Sequence, residues 1–169
     1  SMFRELQKIR DHVQTAMGLS GAVLDGGRID EYINLVYRNV LPQVLQPPEL
    51  QNEFYIDLTP GRGDYGVDPN MLSILGPSYI GTQQIFVTTD AAWFWKRARD
   101  RENESTHTPN LALLFANEIK FYPIPDSVYR FYTIALARPA SLDNDTDEIF
   151  DESWFMALVY YTAARIAYD

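Results

Sequence analysis

Apolar residues recur at three- and four-residue steps near the start of the chain. Leu6, Ile9, Val13 and Met17 carry the pattern, with Glu5, Lys8, Arg10, Asp11 and Gln14 between them. That period predicts an amphipathic helix over 3–17. Gly18 and Gly21 break it, and Leu24-Asp25-Gly26-Gly27 reads as a turn. A second stripe, Ile29, Tyr32, Ile33, Val36, Tyr37, Val40 and Leu41, predicts a largely buried helix over 29–45. Pro42 lies inside it and should kink it or end it near Leu41. Pro47-Pro48 is the stop.

From Glu53 the period becomes two. Phe54, Ile56 and Leu58 alternate with Tyr55, Asp57 and Thr59, which predicts a strand. Pro60 to Asp64 reads as a turn and 65–82 as irregular, with Pro69, Gly76, Pro77 and Gly81 interrupting any pattern. A short strand follows over 84–88. Asp90 is placed to cap a brief helix ending near Arg99, and 100–110 is polar and loop-like. Three consecutive strands are expected over 111–116, 118–122 and 128–138. Both faces of the last are apolar enough for a central strand covered on each side. The closing helix, 152–168, has Asp151 as N-cap and Phe150 with Phe155 at the staple positions.

Two helices, a strand-rich middle and a closing helix predict an α+β fold. In the simplest arrangement, the N- and C-terminal helices form a bundle (2–48 and 150–168) with an antiparallel β subdomain (53–138) inserted, within one domain spanning 2–169. Ser1 ahead of Met2 reads as a tag remnant, and the first residues lack the apolar core of a signal peptide. No stretch approaches the roughly 20 apolar residues of a membrane span.

With 46% apolar and 14% aromatic residues, a packed core is expected rather than disorder. The absence of cysteine removes disulfides, thiolate nucleophiles and Cys-based zinc sites, and fits a reducing compartment. A net charge of −9 disfavours sequence-specific nucleic-acid binding and anionic membranes. The one dense basic run, Lys96 to Arg101, reads as a solvated helix face.

Candidate chemistry is sparse. His12 and His107 form no ligand spacing. Asp143 to Glu148 begins like a calcium loop, but Glu148 stands where glycine is needed and Trp154 where glutamate is needed, so a solvated acidic linker is expected. Arg62-Gly63-Asp64 spells an adhesion tripeptide with ordinary turn residues. No G-x-S-x-G occurs. A carboxylate pair for glycoside hydrolysis would be invisible in sequence. No catalytic residue, metal site or cofactor is assigned.

Two segments together carry a resemblance. One is Ile29 to Asn34 leading to Tyr37-Arg38. The other is Phe121-Tyr122-Pro123-Ile124-Pro125-Asp126-Ser127-Val128-Tyr129, read as a hairpin and followed by Arg138-Pro139, Leu142, the acidic run and Trp154. In order and pattern, residues 29–168 resemble the head-to-tail adaptor (tail tubular, neck or connector) proteins of tailed bacteriophages. The resemblance implies a virion structural protein, made in the bacterial host cytoplasm, without enzymatic activity. It implies partners in the portal and the tail proteins, and a ring matching a portal of about twelve subunits. A virion-associated peptidoglycan hydrolase and an unrelated cytosolic binding domain are the competing classes. For an adaptor, the isolated chain should be monomeric or weakly associated and form its ring only on a portal template, with 18–28, 100–110 and 140–149 the best candidates to order on docking. Asp143, Asp145, Asp147 and Glu148 are candidates for an acidic wall along the DNA exit path, and neutralising them is expected to leave folding nearly unchanged.

Overall fold

The computed structural model describes residues 3–18 and 26–169. The expected break at Gly21 and the start of the expected turn at Leu24 lie outside them. The chain divides into two compact units, one of residues 1–50 with 138–169 and one of residues 51–137.

The first unit is helical. α1 (Leu6–Ala16) buries Leu6, Ile9 and Val13, the predicted stripe. α2 (Gly26–Leu35) begins earlier than the sequence suggests, so Gly26 and Gly27 belong to the helix and not to a turn. The run continues through a π-helical turn, Val36–Val40, into α3 (Leu41–Leu45). Pro42 explains the local widening. It has no N–H to donate to the carbonyl four residues back, and the Leu41 amide instead reaches five residues back to the Val36 carbonyl. Pro42 thus sits in the first turn of α3, where its missing donor costs nothing.

At the other end of the chain, Asp151 accepts a bond from the Ser153 amide and opens a 3₁₀ turn, Glu152–Trp154, that leads into α5 (Phe155–Tyr168). The aromatic contact of Phe150 is with Trp154, their rings 4.5 Å apart, rather than with Phe155. The extra 3₁₀ turn changes the phase, and Phe155 faces Phe3 and His12 instead.

The second unit is a seven-stranded sheet in the order β1-β7-β3-β4-β5-β6-β2. Its strands are β1 (Gln51–Leu58), β2 (Asp64–Gly66), β3 (Met71–Ile80), β4 (Gln83–Thr88), β5 (Leu111–Phe115), β6 (Glu118–Tyr122) and β7 (Tyr129–Ala137). All neighbours are antiparallel except β4 and β5. Leu58, Tyr65, Ile80, Ile85, Phe121 and Phe131 form a core within it. α4 (Ala91–Ala98), capped by Asp90, packs Phe94 and Ala98 onto Leu111 and Leu113 as a second cluster.

Three expectations need correction. Residues 65–82 are not irregular, for they hold β2 and the longest strand, β3. Gly76 and Pro77 fall in a register break of β3 between Ile74 and Ser78, which hides its alternation. A side chain at Gly76 would meet Ile134 Cβ at 2.9 Å, so this close strand approach requires glycine. Secondly, β7 lies between β1 and β3, but only one face is covered along its first half. Phe131 and Thr133 are buried, whereas Tyr132 and Arg130 reach out to Glu53 and Asp57. Thirdly, Phe121 to Tyr129 is not a hairpin. β6 pairs with β5 and β2, and β7 with β1 and β3, so this segment crosses between two parts of the sheet.

Candidate functional site

In the helical unit, α2 and the π-helical turn that continues it present polar residues about one turn apart: Asp30 and Asn34 on α2, and Arg38 with Tyr37 beside it in the turn. Each has a job. Asp30 takes a two-pronged bond from Arg10 of α1, both contacts 2.8 Å. Asn34 bonds Leu142 twice, accepting from its amide at 2.7 Å and donating to its carbonyl at 2.8 Å. Arg38 donates to the Pro139 carbonyl at 3.0 Å. The Tyr37 hydroxyl accepts from the Phe150 amide at 3.0 Å, and burial pushes its ionisation up. α2 therefore holds residues 139–150 along one face. The sequence signal was present as polar positions at i, i+4 and i+8, though Arg28, Glu31 and Asn39 in the same run obscure it.

The acidic run is held from the other side by α1 and is not a bare solvated linker. The carbonyls of Asp147 and Asp145 accept from the Leu6 and Gln7 amides at 2.8 and 3.1 Å, capping donors that the helix start leaves free. Asp145 meets Arg10 at 2.7 Å, so that guanidinium bridges Asp30 and Asp145 and its proton is held more tightly than usual. Asp147 accepts from the Asn144 and Asp143 amides, both 2.8 Å, which keep its carboxyl below the ordinary range. Glu148 lies 3.6 Å from Arg4. Asp143 accepts only from Ser141 Oγ. Neutralising all four acids would remove the charge from the Asp145–Arg10 and Glu148–Arg4 pairs and leave the Asp145 and Asp147 carbonyls on α1 in place.

In the β unit, the Phe121–Tyr129 crossover is fastened to its surroundings. Phe121 is buried against Phe131 and Tyr65. Tyr122 precedes Pro123 through a cis bond and donates to Glu104. The Pro125 carbonyl accepts from Gly61, and the Tyr129 hydroxyl joins Asp126 and Thr108. The adhesion-like tripeptide has an internal role. A side chain at Gly63 would strike the buried Arg101 guanidinium, and Asp64 binds both Arg101 and Lys120. Burial raises the Asp64 carboxyl, but those two cations outweigh it and hold it below its ordinary value.

His12 bonds the Lys8 carbonyl and packs on Phe155, while the His107 amide donates to Ile124. Among the described residues no group of three or more acids and histidines could hold a metal ion. The acid-lined cleft at α2 contains Asp30, Glu31 and Asp143. Asp30 is bonded to Arg10, and Asp143 accepts from Ser141 Oγ.

The chain's sequence matches the family described as SU10 adaptor protein over residues 5–169. It belongs to that family, a family of phage head-to-tail adaptors. A search of curated proteins finds no match. In this adaptor, the two segments that carried the resemblance differ in position. The α2 segment and the stretch from Pro139 to Trp154 form one fastening within the helical unit, whereas the Phe121–Tyr129 segment lies in the β unit. No described helix is long and apolar enough to cross a membrane.

Proposed function

We propose that this adaptor docks on the portal ring and receives the tail, forming part of the channel through which DNA leaves. Family membership over residues 5–169 carries the reading. About twelve copies would sit on the portal, each presenting the same surfaces to its neighbours. The chain acts without chemistry of its own. Purified protein is expected to leave peptidoglycan intact, and cleavage abolished by one Asp or Glu substitution would contradict this.

At −9 per copy, a ring of about twelve would carry roughly a hundred negative charges, which discourages DNA from sticking. Screening confines this repulsion to about 8 Å, so only residues near the channel wall contribute. We place Asp143 and Glu148 in that wall, with Asp145 and Asp147 beside them as the pair that also fastens α1. The test therefore uses Asp143→Asn with Glu148→Gln, which spares that pair. Particles carrying both changes should eject DNA more slowly at low salt and approach normal rates as salt rises. Unchanged low-salt kinetics would remove this loop from the wall.

A further inference from the structure

β4 has two halves with different neighbours. Gln83–Ile85 pairs with Ser78–Ile80 of β3, after which β3 breaks register and departs. Phe86–Thr88 pairs with β5 on the opposite side. The β3-side edge of Phe86–Thr88 thus has no strand against it. A groove of about 460 Å³ lies there, lined by Ile74, Pro77, Phe86, Val87 and Asn110 among others. Natural sheets protect open edges with charge, proline or cover. Phe-Val-Thr carries none of these, and Phe86 is 58% exposed.

The groove continues onto α4. The Phe86 ring packs edge-on against Trp93 at 5.5 Å, and the Arg97 guanidinium stacks 3.7 Å above Trp93. Lys96, Arg97 and Arg99 are exposed, and none meets a carboxylate among the described residues. Elsewhere in the same unit, Arg101, Lys120 and Arg130 are all paired with acids. Cations in the last turn of a helix do favour its dipole. The dipole gives no reason for an exposed phenylalanine and an open edge beside them.

We propose that the open edge of β4, together with the cationic face of α4, is a docking site for an extended acidic segment of a partner protein. Main-chain bonds to the N–H and C=O of Val87 would supply affinity, an apolar side chain would enter the groove, and carboxylates would meet Lys96, Arg97 and Arg99. Trp and Arg are the residues most enriched where interface energy concentrates. A polypeptide is favoured over nucleic acid, because three cations on a chain of net charge −9 release few counterions from a phosphate backbone, and an open strand edge pairs with peptide groups. The site stands whether or not the portal reading holds, since its probe is a peptide.

The test uses the full-length protein and a fluorescein-labelled synthetic peptide, alternating valine and glutamate and ending in an aspartate run. Binding should weaken at least tenfold between about 0.1 M and 1 M salt, where the screening length falls from about 10 Å to about 3 Å. It should slow amide exchange at Val87, whose N–H faces away from β5, because the Phe86 amide already bonds Asn110 on that side and N–H groups alternate along a strand. Lys96→Glu with Arg97→Glu and Arg99→Glu should lose at least about tenfold in affinity while the protein stays folded, with a lower thermal midpoint from the lost Trp93 stacking and the opposed helix dipole. Equal binding by that variant, or binding without slowed exchange at Val87, would overturn the proposal. So would displacement of the peptide by duplex DNA at lower concentration than by unlabelled peptide. Self-association that the charge reversal abolishes would assign the edge to a second copy of this chain and overturn it too.

Discussion

Asn34 is the residue on which the 139–150 segment most depends, because its one amide satisfies both the N–H and the C=O of Leu142. Asn34→Ala leaves two partly buried backbone groups unbonded, at a cost of about 1–3 kcal/mol. Urea unfolding should show this as a lower midpoint with an unchanged slope. Asp64 plays the matching part in the β unit, facing Arg101, which is only 4% exposed. Removing one partner of a fully buried pair costs about 3–5 kcal/mol, but Asp64 is half exposed, so Asp64→Asn should cost about 1–3 kcal/mol. Its carboxyl lies below the ordinary 3.8 when folded. Its stabilisation is therefore complete above that pH and is lost as pH falls through the lower folded value. Acid titration of Asp64→Asn should show a shallower loss of stability below about pH 4 than the parent protein. An equally steep acid limb would mean that Asp64 does not drive it.

At the scale of elements, two hairpins of the sheet close through two residues, β3 to β4 at Gly81-Thr82 and β5 to β6 at Ala116 and Asn117, the latter pair both at positive φ (54° and 62°). Two left-handed residues suit a two-residue turn, but alanine is strained there where glycine is not. Ala116→Gly should therefore raise stability by about 0.5–1 kcal/mol, read by equilibrium denaturation, and a loss of stability would contradict this account of the turn. Phe-Ala-Asn-Glu lacks the usual glycine, and the turn was legible only as the break between the expected strands 111–116 and 118–122. Other elements were legible for physical reasons. α1 and α5 keep a continuous apolar stripe, and Asp90 and Asp151 are caps with free acceptors in the expected place. β3 was hidden because Gly76 and Pro77 interrupt its alternation at a register break. The Phe121–Tyr129 crossover resembled a hairpin because prolines and Asp126 mark a change of direction equally well in both. Strand partners are set across the whole sheet, which no local pattern records.

For the molecule as a whole, the sequence carried the division of labour: helices from both ends of the chain and strands between them. What it concealed was how the far end of the chain is held. The acidic run is solvent-exposed as expected, but charge alone does not reveal that its carbonyls cap α1 and that Arg10 lies opposite Asp145. The connections of the acidic run emerge only from the way α2 and the π-helical turn after it line up Asp30, Asn34 and Arg38. On its own the adaptor should be monomeric or weakly associated, with one light-scattering mass near 19.4 kDa in dilute buffer. Its ring should form on a portal template, where neighbouring sites convert weak contacts into a closed assembly. Electron microscopy of portal rings, imaged before and after incubation with the purified protein, tests this directly. The account predicts an added layer of about twelve adaptor copies on one face of each portal ring. Portal rings left bare at saturating protein would contradict it.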